Sequence, residues 1–182
     1  MNYSLNWLKS QIETGFHPEY LFFWGHTQKA TGVTDKSCFS QWWPSPFIVD
    51  GITYPTAEHW MMAQKALLFD DNESFDLIIA ANKPAIAKDL GRKVKNFDAD
   101  KWNANAFKLV TTGNIHKFSQ HGDLKKFLLN TGDKTLVEAS PVDFIWGIGL
   151  SQEAPEASNP YKWKGANLLG FALMEVREDL KK

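Results

Sequence analysis

The sequence predicts an α+β fold: one mostly helical domain over residues 1–182, with a core of about 20–180, packed around a small antiparallel sheet. Three observations carry this. Apolar residues recur at helical spacing in several separate segments, the last of which, 167–180, sets Leu169, Leu173, Val176 and Leu180 on one face. Strand-prone runs are few and short, and Phe47 to Tyr54 folds about Asp50-Gly51, the strongest short-range hairpin signal. The chain has 182 residues, 43% hydrophobic and 23% charged, which suits one domain able to bury a sizeable core.

Taken in order, Ser4 caps a first helix with Leu5, Leu8 and Ile12 on its apolar face and Gly15 at its end. Tyr20 to Trp24 is a continuous apolar run, a buried strand closed by Gly25. Residues 26–37 are polar and read as a loop. After the hairpin, Pro55-Thr56 breaks the strand and caps a helix from about Ala57 to Phe69. Shorter helices follow near 72–81 and 84–91, the second with Pro84 at its start and Gly91 at its end. Asp98 caps a long helix to about Phe118, and another lies near 122–130. Thr135 to Ala139 is a strand. The glycines of 144–150 suggest a turn where backbone approaches a ligand, and 151–166 is a loop.

Composition excludes some functions. A net charge of -1 argues against coating nucleic acid by bulk charge and leaves room for a local basic patch. A single cysteine, Cys38, rules out an internal disulfide framework. The amphipathic start lacks a signal-peptide core, and no apolar run approaches membrane-spanning length, so a cytoplasmic protein without a membrane partner is expected. Eight Trp, thirteen Phe and four Tyr are rich for this length: some belong to the core, and a surplus of flat side chains also suits a site that stacks on a base.

Common chemical motifs are absent. There is no GxGxxG, P-loop, HExxH or paired CxxC, and the five histidines are scattered, so neither a metal nor a cofactor is expected. The segment PTAEHWMMAQKA (55–66) is more informative. Glu58 falls in a first helical turn, where free N–H groups favour an anion, and Lys65 lies two turns on, about 10 Å along the same face. On spacing alone, a surface Glu and a surface Lys over a methionine core is the simpler reading. Asp143 stands in an apolar stretch, as a site carboxylate or as a turn residue after Pro141. Trp102 reads as core or as ligand contact. The 83–95 segment carries Lys83, Lys88, Arg92, Lys93 and Lys95 against Asp89, a solvated face or a set of phosphate contacts.

Taken together, FFWG, SQWWPSPF, YPTAEHWMMAQKA, LGRKV, the Trp102 helix, LVEASPVDFIWGIGL and NLLGFALMEVRE occur in the order of the NADAR superfamily, also called YbiA-like, which the chain resembles from about Leu21 to Leu180. Ser40-Gln41-Trp42 departs from the Ser-Asn-Phe opening of the YbiA branch. The resemblance implies a mostly helical α+β fold and a metal-independent N-glycosidase. Its substrate would be ADP-ribose on guanine bases in DNA, or phosphoribosyl intermediates of riboflavin biosynthesis. A non-catalytic ADP-ribose or nucleotide reader is the rival class. The implied catalytic residues are Glu58, Lys65, Trp102 and Asp143, with Lys65 as phosphate contact or amine nucleophile. Substrate contacts are expected at Trp24, Gly25, Gln41, Arg92, Trp146, Gly147, Gly149, Asn159 and Asn167. The implied partners are an ADP-ribose-type nucleotide, ADP-ribosylated DNA, and a DarT-type ADP-ribosyltransferase toxin to which such a protein is antitoxin.

Overall fold

A computed structural model describes residues 2–28 and 32–182. Among them are seven α-helices and four short strands, so the mostly helical α+β class stands. The strands form two separate pairs, and only one is antiparallel. Of the predicted 26–37 loop, residues 29–31 lie outside the described residues. The chain divides into two compact units, one from 41 to 122 and the other from the segments before and after it. No described helix is long and apolar enough to cross a membrane.

The terminal segments build the first unit. Helix α1 (Leu5–Glu13) starts where the Ser4 hydroxyl accepts from Trp7 N at 3.0 Å. Strand β1 (Tyr20–Phe23) pairs in parallel with β4 (Thr135–Glu138), in the register Leu21 to Leu136 and Phe23 to Glu138. Parallel strands need a long crossover, and here everything between 24 and 134 supplies it, which is why local sequence pattern suggested antiparallel pairing instead. Thr135 N to Glu19 O and Ala139 N to Phe23 O extend the ladder at 2.8 and 2.9 Å. Residues 135, 137 and 139 therefore face β1, and 136 and 138 face the other edge. Among the described residues no strand follows there. Asn167 fills the place of one, its Oδ1 accepting from Glu138 N and its Nδ2 donating to Leu136 O, each at 2.9 Å. Helix α6 (Gly122–Leu129) leads into β4, and α7 (Leu168–Leu180) packs on it, burying Leu169, Leu173 and Val176. Buried Arg177 donates to Thr131 Oγ1 and Lys134 O, closing the turn before β4.

The 41–122 unit is organised by α2 (Ala57–Leu68). The hairpin of β2 (Phe47–Val49) and β3 (Ile52–Tyr54) turns at Asp50 and Gly51, both at positive φ (50° and 79°), the geometry that Asp-Gly favours. Helices α3 (Asn72–Ala80), α4 (Pro84–Gly91) and α5 (Ala99–Gln120) all pack against α2. Phe47, Tyr54, Trp60 and His116 form one aromatic cluster. Trp60 donates its indole N–H to Leu109 O at 2.8 Å, and it fits because position 113 is glycine: a Cβ there would lie 2.2 Å from the indole. The exposed edge of β2 is again closed by a side-chain amide, Gln120 bonding both N and O of Ile48.

Candidate active site

In the 41–122 unit, Thr56 begins α2 with its hydroxyl accepting from His59 N, and Glu58 follows in the first turn. Glu58 is not the surface residue that spacing alone suggested: it is 5% exposed. Its N–H donates to Gln41 O at 2.9 Å, and the helix N-terminus favours its negative charge. Gln41 is itself held by Asn114, which is fully buried in α5. The two amides exchange hydrogen bonds at 3.2 and 3.4 Å, and Asn114 Nδ2 also donates to Val110 O. Gln41 thus fixes the first turn from outside the helix, a role no spacing rule reveals.

Along the same face, Met62 is buried against Gly91 of α4, and Lys65 comes one turn later, half-buried. Its Nζ lies 4.2 Å from the ring centre of Phe97 and 5.5 Å from that of Trp102. Burial pushes the amine's pKa below the usual lysine value. Trp102 is half-buried in the first turn of α5, which Asp98 caps by accepting from Lys101 N. The structure thus brings Lys65 and Trp102 into contact, and adds Phe97, which the sequence reading passed over. Trp42 was passed over too; Lys88 of α4 lies over its ring at 5.8 Å. The basic segment is less free than its composition suggested. Arg92 pairs with Asp89 at 3.1 Å, and Lys95 pairs with Glu73 at 2.6 Å while its N–H donates to Asp71.

His59, next to the buried carboxylate, belongs to the fold. Its Nε2 faces Ala81 O at 3.0 Å, a group that only accepts, so Nε2 carries the proton and Nδ1 accepts from the Thr56 hydroxyl at 2.8 Å. Burial holds its pKa below the ordinary histidine value. A depressed base binds fewer protons folded than unfolded, so stability is complete above the unfolded value and falls as pH drops toward the folded one. Urea midpoints should therefore decline between pH 7.5 and pH 5 more in wild type than in His59→Gln. Equal slopes would remove His59 as the cause.

In the other unit, Asp143 accepts from Ile145 N at 2.9 Å and Trp146 N at 2.7 Å, both on Oδ1. The turn reading of Asp143 is therefore correct for one oxygen, and Oδ2 takes no hydrogen bond among the described residues. The loop it organises sends carbonyls 145 and 146 to Leu168 and Leu169 N, satisfying the first turn of α7, whose Asn167 has its side chain in the sheet. Of the glycines expected where backbone nears a ligand, Gly147 approaches the chain's own backbone and Gly149 its side chains. A Cβ on Gly147 would lie 2.9 Å from Glu138 O, and one on Gly165 would lie 2.3 Å from Gly147 O. Gly149 sits at φ +67° against Phe144. Asn167, expected at the ligand, is fully buried at φ 54° and bonded to β4. Trp24 is 58% exposed, just before Gly25 at φ +78°. Trp146 is half-buried, and Asn159 is exposed with Oδ1 accepting from Tyr161 N. No cluster of three metal-ligating side chains occurs among the described residues.

Comparison with known proteins bears on both units. The chain is 46% identical over 166 residues to N-glycosidase R617 of Acanthamoeba polyphaga mimivirus, covering 88% of this chain and 96% of that one. It is 34% identical over 146 residues to N-glycosidase YbiA of Escherichia coli strain K12, covering 80% and 81%. The NMR structure of the E. coli protein YbiA superposes with a TM-score of 0.69 at 28% identity, over 91% of this chain and 87% of that one. Residues 22–181 match the NADAR domain, a span that runs through both units. The chain belongs to the NADAR domain family.

Proposed function

We propose that this N-glycosidase removes ADP-ribose from guanine bases in DNA, with Glu58 and Lys65 as charged groups of its active site. The observation that carries the reading is a buried carboxylate on the same helix face as an amine set against aromatic rings. Breaking a ribosyl C–N bond passes through an oxocarbenium-like state, which a fixed carboxylate stabilises and a protonated leaving base assists. Glu58 supplies that charge or binds sugar hydroxyls. Trp102 stacks on the leaving base. Lys65 contacts phosphate, or in its neutral form adds to C1 of the ring-opened ribose and expels the base, which takes the amine's proton, leaving an imine that water then hydrolyses. Asp143 activates water or protonates the base through Oδ2, while Oδ1 keeps its loop in shape. A natural counterpart is an ADP-ribosyltransferase of DarT type, whose product this activity reverses.

Lys83, Lys88, Arg92, Lys93 and Lys95 support the choice of a polymer substrate, because a single modified nucleotide needs no extended basic segment. Replacing Arg92 and Lys93 with Gln should weaken action on modified DNA. The salt dependence of binding should also flatten, by about 0.9 in log–log slope for each phosphate that is no longer neutralised. Hydrolysis of a modified mononucleoside should be unchanged. Equal losses on both substrates would assign the segment to the fold. A second reading, hydrolysis of a phosphoribosyl intermediate of riboflavin biosynthesis, is favoured by one observation: Arg92 and Lys95 already face carboxylates. Incubating the pure protein with ADP-ribosylated DNA and with the riboflavin precursors, read by mass spectrometry, decides between them. Cleavage of the precursor alone overturns the DNA reading.

A further inference from the structure

We infer that Phe97 is a positioning residue of the active site: with Trp102, its ring covers the Lys65 amine and holds it out of water. The inference rests on the reading of Lys65 as a site amine. The turn before Phe97 is pinned at three points. Val94 is buried, Lys95 N donates to Asp71 Oδ2 at 2.8 Å, and Lys95 Nζ pairs with Glu73. Asn96 then takes the left-handed conformation, φ 54°, which asparagine tolerates better than most residues. This brings the Phe97 ring edge-on to Phe69, centroids 5.4 Å apart, at the end of the helix that carries Lys65. The ring remains 48% exposed. A left-handed residue and three anchors thus hold in place a side chain that core packing alone does not require.

No carboxylate lies within ion-pair distance of Lys65 among the described residues, and the charged groups on the elements packed against α2 are engaged elsewhere or turned to solvent. On α3, Asp71 caps the helix, Glu73 holds Lys95, and Asp76 is exposed. On α4, Asp89 holds Arg92, Lys88 lies over Trp42, and Lys83 is exposed at the cap. On α5, Asp98 caps the helix, Lys101 lies over Phe69, and Asp100 and Lys108 are exposed. Lys117 is buried fifteen residues beyond Trp102, about 22 Å along α5, and β3 carries no charge. Cover by the two rings is what sets Lys65 apart, and burial is the cause of its lowered pKa.

The test is reductive methylation of the full chain with ¹³C-formaldehyde, the Lys65 signal being assigned by its loss in Lys65→Arg and titrated by NMR without substrate. Phe97→Ala admits water, so the midpoint should rise above wild type. Phe97→Leu keeps the cover but removes the ring face that favours a cation, so its midpoint should stay at or below wild type. In the assay, Phe97→Ala should lower kcat roughly tenfold and move the acid limb of its pH profile upward, with Leu restoring the limb. A Phe97→Ala midpoint at or below wild type overturns the inference. Full turnover in Lys65→Arg, by contrast, removes Lys65 from the chemistry whatever the titration shows, so the two failures are distinct.

Discussion

Glu58→Gln should reduce turnover by about 10²-fold or more while leaving a folded protein that still binds its ligand. The substitution keeps size and hydrogen-bonding capacity and removes only the charge. In the ground state the N-terminus of α2 favours that charge by up to about 2 kcal/mol, so melting is measured beside turnover. In the transition state, positive charge develops on the sugar. A carboxylate 5% exposed interacts with it through a medium of low dielectric, far more strongly than through water. Asp143→Asn makes a parallel experiment with a sharper control. An Asn oxygen can accept from Ile145 and Trp146 as the Asp Oδ1 does, so the loop keeps its shape and only proton transfer is lost. Asp143→Ala would lose both and separate little. The measurement is single-turnover hydrolysis beside thermal melting. Near-normal turnover in both carboxamide variants, with normal melting, would place the catalytic groups elsewhere.

Those two carboxylates were visible in the sequence for different reasons, and neither was fully legible. Glu58 stood out because a Pro-Thr cap fixes where α2 begins, and a cap is a local feature. Its backbone N–H is held by Gln41, which Asn114 holds in turn, residues 17 and 56 positions away that no local pattern connects to it. Caps and turns were readable throughout: Ser4, Asp50-Gly51, Pro84 and Asp98 all do what their types predict. Pairing between distant segments was not. The parallel β1–β4 pair joins residues more than a hundred positions apart, and the edges of β2 and β4 are finished by Gln120 and Asn167, whose amides imitate a strand. A buried Asn inside a family-like motif resembles a ligand contact when only the sequence is known. The Lys65 surroundings were half-legible. Trp102 announced itself by type and position, whereas Phe97 comes to the amine only through a left-handed Asn96.

Gly170→Ala should destabilise the protein by roughly 3 kcal/mol or more. On helix propensity alone the change is favourable by about 1 kcal/mol, since alanine is the better helix former. Space reverses the sign. The new Cβ would lie 2.1 Å from Leu136 O and 2.6–2.7 Å from both amide atoms of Asn167. None of these can retreat cheaply. Leu136 O is strand backbone accepting from Asn167 Nδ2, and Asn167 is fully buried, so displacement breaks both amide bonds to β4 and leaves Glu138 N without that acceptor. Gly91→Ala provides the comparison. Its Cβ would approach Met62 to 2.1 Å at the sulfur, but a methionine side chain is flexible and repacks, so a cost of about 1–2 kcal/mol is expected. Urea unfolding of the two variants, with the slope held common, reads the difference. Equal stabilities would mean that α7 can lift from β4 without breaking the Asn167 bridge.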